Sequence, residues 1–481
     1  MKKQTNISKK LDPVGLFRRA ASMVPAYKKF LVDNNFRSSQ IKSVADFYKI
    51  PPTNKKNYIR KYPLRERLWN GRLDSEMVFT SSSGSTGNPQ YFPRSSRVDE
   101  TARKVHEKFI KLGTSKGGVL VVDAFSMGIW IGGLITYQSF VSAARFSGLP
   151  VSVITPGINK NEILRILSDL APQFEEVILC GYPPFIKDIV EEAKNRKISF
   201  KKFRLRFLFA AEAFSEEFRN YLCRAAGVKD PILDTMNIYG SADIGVMAHE
   251  TPASIAVRRL AVKNKRLFES LFGQTTKIPT LAQYDPDDIY FETNNGELLL
   301  TADNVAPLIR YEIGDNGGVY QQEQIHDIMK GQGLDLRRVL KGKAAGFHSA
   351  NPFVYIFERK DFSTSLYGLQ IYPETIKNAI LTNDLAKDLT GRFTMETKYD
   401  RRQNQYLEIN LELKDQKEKS KRLKQKAIRL ITDFLRNKNI EYRELYTHLK
   451  KRANPHIVLW PYGHPKYFNF GVKQIWTKKN Q

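Results

Sequence analysis

The residues best suited to chemistry are Thr80 to Pro89, which read T-S-S-S-G-S-T-G-N-P. Hydroxyls and glycines crowd together just after an apolar pair, Val78 and Phe79. Gly84 and Gly87 permit positive φ and close backbone approach. A loop of this kind aims several backbone N–H groups at one anion, a concavity suited to phosphate. Ser81, Ser82, Ser83, Ser85 and Thr86 add hydroxyl donors. The pattern G-x-x-x-x-G-K-[ST] cannot be drawn through Gly84 or Gly87, so this is not a Walker loop. A Ser/Gly-rich run by itself also suits a plain surface loop. The phosphate reading therefore needs companions.

The companions follow in order. Ala211-Glu212-Ala213 comes after a mostly apolar, strand-like run, Leu205 to Phe209. Tyr239-Gly240-Ser241-Ala242-Asp243 matches the form Y-G-x-T-E in part, and Pro307 to Asp315 reads P-L-I-R-Y-E-I-G-D. Arg359-Lys360-Asp361 precedes Gly368-Leu369-Gln370-Ile371-Tyr372-Pro373, with nine residues from Arg359 to Gly368. Together these strings resemble the adenylate-forming enzymes, which include acyl-CoA synthetases. Val24-Pro25-Ala26-Tyr27-Lys28, Leu64 and Ile154-Thr155-Pro156-Gly157 are similar to the phenylacetate–CoA ligase branch. The resemblance covers about residues 15 to 380 well and the tail loosely.

The resemblance implies ATP-dependent activation of a carboxylic acid as an acyl-adenylate, with pyrophosphate released. The acyl group then passes to CoA. Transfer to an amine or a protein thiol is the alternative enzyme. A non-catalytic basic scaffold that binds nucleotide or nucleic acid is the alternative of another class. Carboxylate attack on the α-phosphorus piles negative charge on phosphate oxygens, so the reaction needs donors, a cation and Mg²⁺.

Each motif then acquires an implied role. Ser82, Ser83, Gly84, Ser85, Thr86 and Gly87 would hold the β- and γ-phosphates, with Thr86 also at the reacting centre. The backbone of Ala211, Glu212 and Ala213 would run along the adenine edge, with Tyr239 and Gly240 against its face. Asp315 would accept the ribose hydroxyls, a task for an acceptor-only side chain. Arg359 would sit near ribose and phosphate, Gly368 on the glycine loop beyond the hinge at Asp361. Asp243 stands where the family places a Mg²⁺-binding Glu, and a carboxylate is a suitable hard ligand. Lys473 is the candidate catalytic lysine, with Lys466 behind it. Trp130, Phe125 and Tyr137 hint at an aromatic or apolar acid. The sequence departs from the pattern in three ways: Asn88 and Gln90 replace frequent lysines, Ala242 replaces a hydroxyl residue, and the lysine lacks a clean motif.

Plainer roles compete with these. Tyr239 suits core packing, Asp243 a helix cap, and Asp315 in G-D-N-G-G a turn. His249-Glu250 lacks helical metal-ligand spacing, and Cys180 reads as a buried hydrophobe.

Bulk composition agrees with a large enzyme. The chain has 481 residues, enough for more than one domain. With 41% hydrophobic and 26% charged residues it is not broadly disordered. Its two cysteines, Cys180 and Cys223, give neither a disulfide framework nor C-x-x-C spacing. A reduced cytoplasm is the expected home. The basic start, M-K-K-Q-T-N-I-S-K-K, has no apolar run behind it and does not read as a secretory signal. Ala124 to Ile135, the longest apolar run, is too short to span a bilayer. The net charge is +27, with lysines spread along the chain. We rank a solvated basic surface first, steering of anionic ATP and CoA second, and nucleic acid third.

The elements that must position these residues are partly legible. Residues 1 to about 75 read as basic and helical. From residue 118, strands such as Val119–Val122 and Val177–Cys180 alternate with helices, one opened by Pro183-Pro184 and one by Ser215. This alternation predicts an α/β class: a large N-terminal layered α/β domain over 1–357. A small mobile C-terminal α+β domain is expected over 358–481, with helices at Glu374–Leu381 and Gln416–Arg436. Strands are expected at Arg392–Tyr399 and Tyr406–Leu413, and the aromatic tail from Pro455 should dock.

Overall fold

The computed structural model describes residues 10–74, 76–81, 90–113, 117–274, 278–340, 350–359 and 364–468. The N-terminal segment forms helices Pro13–Met23 and Pro25–Asp33, each opened by a proline. A two-residue strand, β1 (Thr53–Asn54), follows. An antiparallel pair, β2 (Val78–Ser81) and β3 (Tyr91–Arg94), comes next. Residues 82–89, most of the expected phosphate loop, join that pair and lie outside the described residues.

Valine- and leucine-rich runs then alternate with amphipathic helices, and the runs lie side by side in parallel. They are β4 (Val119–Asp123), β5 (Val151–Ile154), β6 (Glu176–Gly181), β7 (Arg204–Ala210) and β8 (Thr235–Ser241). Their spatial order is β5-β4-β6-β7-β8. β9 (Gly245–His249) turns back antiparallel beside β8. β10 (Thr280–Gln283), β11 (Ile289–Asn294), β12 (Glu297–Ala302), β13 (Leu308–Tyr320) and β14 (Phe353–Arg359) complete a mixed sheet. β1 pairs in parallel with β13, Thr53 opposite Tyr311.

Parallel strands bury both faces, which explains their continuous apolar runs. Helix Pro183–Asn195 places Ile186, Ile189, Val190 and Ala193 on one buried face. Ser215 caps helix Glu216–Ala226 by accepting from the Phe218 N–H. Cys180 is fully buried within β6, where burial pushes its thiol up.

The C-terminal part begins with a hairpin, β15 (Thr364–Leu366) and β16 (Leu369–Ile371). β17 (Leu389–Tyr399), β18 (Gln405–Leu413) and β19 (His456–Trp460) form a second sheet in that order. Helices Pro373–Ile380, Lys421–Lys438 and Ile440–Leu449 accompany it. The tail thus docks as far as it is described, with β19 parallel to β18. One apolar cluster runs from Leu179 and Ile186 to Ile371 and Ile409, so the two parts share a packed interface. The architecture is α/β with a small α+β unit, as the sequence predicts. Among the described residues, no helix is long and apolar enough to cross a membrane.

Candidate functional site

The expected site residues come from the carboxyl ends of β7 and β8, from the β8–β9 turn and from β13. Carboxyl ends of parallel strands are where open α/β sheets bind ligands. β8 is also where the sheet changes from parallel to antiparallel. Ala211, just past β7, has φ 72, a left-handed conformation uncommon for alanine. Gly240 lies so close to β9 that a Cβ would stand 2.7 Å from the Gly245 carbonyl oxygen. A side chain there would part the two strands.

Tyr239 and Asp315 meet across the sheet. The Tyr239 hydroxyl donates to Asp315 Oδ2 at 2.5 Å, and the Asp315 side chain is largely buried. Asp315 is a strand residue, not a turn residue: G-D-N-G-G runs inside β13, with a register shift between Asp315 and Gly317. A bulge of this kind re-aims side chains at functional edges. Arg359 stands opposite Asp315 in the β13–β14 register. The backbone of Arg359 is described and its side chain is not.

Asp243 lies in the turn between β8 and β9, not at a helix start. Its carboxylate is buried. Tyr311 donates its hydroxyl to Oδ2 at 2.5 Å, and Lys55 Nζ stands 3.5 Å from Oδ1. The reason for Lys55 is local. β1 runs beside Tyr311 and Glu312, and Asn54 donates to Glu312 Oε2 at 2.9 Å. Asn54 also caps the next turn by accepting from Lys56 and Asn57, which leaves Lys55 over the β8–β9 turn. Buried Arg67 approaches the same group, and desolvation holds its guanidinium below its ordinary value. Neither Lys55 nor Arg67 belongs to a recognisable motif; pairing of the N-terminal segment with β13 brings them in. A single buried carboxylate of this kind suits Mg²⁺, which is held by one or two carboxylates plus substrate phosphates. Among the described residues no group of three or more His, Cys, Asp or Glu forms a metal cage.

Glu212 binds the small domain. Its carboxylate accepts from the Ser365 hydroxyl at 2.7 Å, from Gln405 Nε2 at 3.1 Å and from the Gly368 N–H. The Glu212 carbonyl accepts from Asn237 Nδ2 at 3.1 Å, which fixes the segment against β8. Gly368 has φ 84, and a Cβ there would lie 2.4 Å from the Tyr182 ring. The hairpin can approach this closely because of that glycine. Between the two parts runs a narrow groove lined by Ser126, Tyr182, Tyr367, Gly368 and Glu441 among others. Phe125 and Trp130 are buried nearby, Phe125 edge-on to Tyr182 at 5.1 Å; Tyr137 is 42% exposed.

Of the remaining expected residues, Ser82 to Gly87, including Thr86, and Asp361 and Lys473 lie outside the described residues. Lys466 stacks over Tyr467, 5.4 Å from the ring centroid, beside the Trp460–His464 contact after β19. The described structure therefore brings Tyr239, Asp315, Asp243, Glu212 and Gly368 to one region.

No family model matches the chain. It is 22% identical over 370 residues to phenylacetate-coenzyme A ligase of Aromatoleum evansii, covering 76% of this chain and 73% of that protein. It superimposes on 2-hydroxyisobutyryl-CoA ligase, in complex with 2-HIB-AMP and CoA in the thioesterification state, with a TM-score of 0.59. That match has 17% identity and covers 93% of this chain and 85% of the other. The same ligase in a postadenylation state gives a TM-score of 0.51, at 15% identity, over 97% and 88% of the chains. The chain has the fold of the adenylate-forming enzymes and, in sequence, is phenylacetate–CoA ligase-like.

Proposed function

We propose that this protein activates a carboxylic acid with ATP, forming an acyl-adenylate and pyrophosphate, and then transfers the acyl group to the thiol of CoA. The observation that carries this reading is the meeting of Tyr239, Asp315 and Asp243 at the strand ends with the Gly368 hairpin docked on Glu212. Asp315, oriented by the Tyr239 hydroxyl, accepts the ribose hydroxyls, and the Tyr239 ring flanks the base. Asp243 holds Mg²⁺, which when bound neutralises phosphate charge. Lys55 supplies a second cation on that side, where the phosphate loop has Asn88 and Gln90 in place of lysines. The pantetheine arm of CoA enters the groove between the two parts. Lys473 remains the proposed closing cation, and the mobile small domain and cytoplasmic location remain part of this reading.

Pyrophosphate release with a panel of aliphatic and aromatic acids tests the first step, and thioester formation on adding CoA tests the second. No pyrophosphate with any acid leaves the basic nucleotide-binding scaffold as the reading. Pyrophosphate without thioester moves the acceptor to an amine or a protein.

Two variants separate the parts. Asp243→Asn keeps the shape and removes the charge; at limiting Mg²⁺ adenylation should fall about tenfold or more, as a charged hydrogen-bond partner is worth roughly 1.5–3 kcal/mol. Unchanged pyrophosphate release at limiting Mg²⁺ sinks the metal assignment. Glu212→Gln should slow conversion of a supplied acyl-adenylate to thioester by about tenfold, because the docked hairpin loses its charged acceptor. Adenylation should change little. Equal rates for wild type and Glu212→Gln in the thioester step refute the docking role.

A further inference from the structure

The groove between the two parts contains a carboxylate to which neither the motifs nor the proposed nucleotide site give a role. Glu441 sits in the first turn of helix Ile440–Leu449. That helix is tied to the Gly368 hairpin: Asn439 caps it by accepting from the Tyr442 N–H at 2.9 Å and donates to the Gln370 carbonyl at 3.1 Å. The cap therefore holds Glu441 over the groove, across from Ser126 and Tyr182. Glu444, one turn on, shares the helix face and accepts from the buried Trp130. Gly368 lines the same groove and donates to Glu212, which ties the groove to the segment proposed for the adenine edge.

We infer that Glu441 is the general base that takes the proton of the acceptor nucleophile in the second step. This rests on the two-step reading above. The acceptor's S–H or N–H gives its proton to the Glu441 carboxylate. Its lone pair forms a bond to the acyl carbon, the carbon–oxygen bond to phosphate breaks, and AMP leaves with that electron pair. Water then removes the proton from Glu441.

The other titratable groups lining the groove suit the role less well. Tyr182 and Tyr367 are held protonated by burial, which pushes both hydroxyls up. Tyr367 also lies beside the Asp188–Arg452 pair. His448 is seven residues along the helix and exposed, roughly 10 Å further down its axis. Glu441 is different in kind: desolvation, then the nearby Glu444 charge, push its carboxyl up to about 8. A base of that strength suits proton removal near neutral pH. It is mostly protonated at pH 7, and its active form grows as pH rises through about 8.

The test is single-turnover transfer from a preformed acyl-adenylate, with CoA in one arm and a primary alkylamine in the other, between pH 6.5 and 10. Glu441→Gln should lower the rate at pH 7.5 by about a hundredfold, the lower end of general-base effects. The gap should close as pH rises and the acceptor loses its own proton. Glu441→Asp should keep an intermediate rate and the wild-type form of the profile. Pyrophosphate release should match wild type in both variants. A defect of constant size at every pH marks a merely structural residue and overturns the inference, as does wild-type transfer by Glu441→Gln. Loss of both half-reactions in Glu441→Asp as well as Glu441→Gln overturns it too. Failure of the wild type to release pyrophosphate with any acid removes instead the reading on which it rests. The arm that reacts in wild type names the acceptor.

Discussion

Asp315→Ala should lose ATP and AMP affinity by about two to four orders of magnitude, because the two charge-assisted hydrogen bonds proposed to ribose, at roughly 1.5–3 kcal/mol each, go together. The substitution removes a largely buried acceptor from β13 and leaves the Tyr239 hydroxyl without the oxygen it donates to at 2.5 Å. Tyr239 then loses its orientation as well. Asp315→Asn keeps the shape and one acceptor oxygen, so its affinity should fall between wild type and alanine. The strand itself should persist, since the backbone pairing of Asp315 with Arg359 does not use the side chain. Calorimetry with ATP and AMP decides the point. Equal affinity in wild type and Asp315→Ala means that the carboxylate only steadies the bulge in β13.

Glu250→Ala destabilises the folded chain by about 3–5 kcal/mol, the cost of removing one carboxylate from a buried ion-pair cluster. Glu250 follows β9 and is buried. Its Oε1 accepts from Arg219 at 2.6 Å, and its Oε2 accepts from the Asn237 N–H at 3.0 Å. Arg258, also buried, donates to Glu216 at 2.7 Å, and Arg219 pairs with Glu216 as well. The cluster bolts helices Glu216–Ala226 and Pro252–Lys263 to β8. Urea unfolding monitored by tryptophan fluorescence should show the loss as a lower midpoint at unchanged slope. A midpoint equal to wild type shows that Arg219 finds another partner. The same cluster makes the fold sensitive to acid. Burial alone would raise the Glu216 carboxyl, but the Arg219 and Arg258 guanidiniums outweigh it and hold the group below its ordinary value. A carboxyl depressed in the folded state adds stability that is present above the ordinary carboxylate range and lost as pH falls through the folded value.

The chain's local signals were legible because each is confined to a few neighbouring residues. Pro183 opens its helix, Ser215 caps the next, and the valine-rich run ending at Asp123 is a buried strand. Where a local signal is weak the boundary moves. The helix expected from Gln416 starts at Lys421, because residues 415–419 carry charge without apolar spacing and Ser420 supplies the cap by accepting from the Leu423 N–H. Asp315 is the sharper case. G-D-N-G-G has turn composition, yet pairing with β14 draws it into a strand.

Strand–helix alternation was enough to predict the α/β architecture, and the order of the motifs carried the adenylate-forming resemblance that singles out Tyr239, Asp243 and Asp315. That order reflects which strand ends come next along the chain, and parallel strands place their carboxyl ends on one edge. What surrounds those residues was decided by the tertiary structure. Lys55 reaches Asp243 because β1 pairs with β13. Glu212 meets Ser365, Gly368 and Gln405 because the small domain docks on the end of β7. Glu441 faces Ser126 and Tyr182 because its helix cap is tied to β16. Each of these contacts joins segments far apart in the chain. Periodicity, capping and turn chemistry act over one or two turns of backbone, so they are silent about which distant side chain closes on a site.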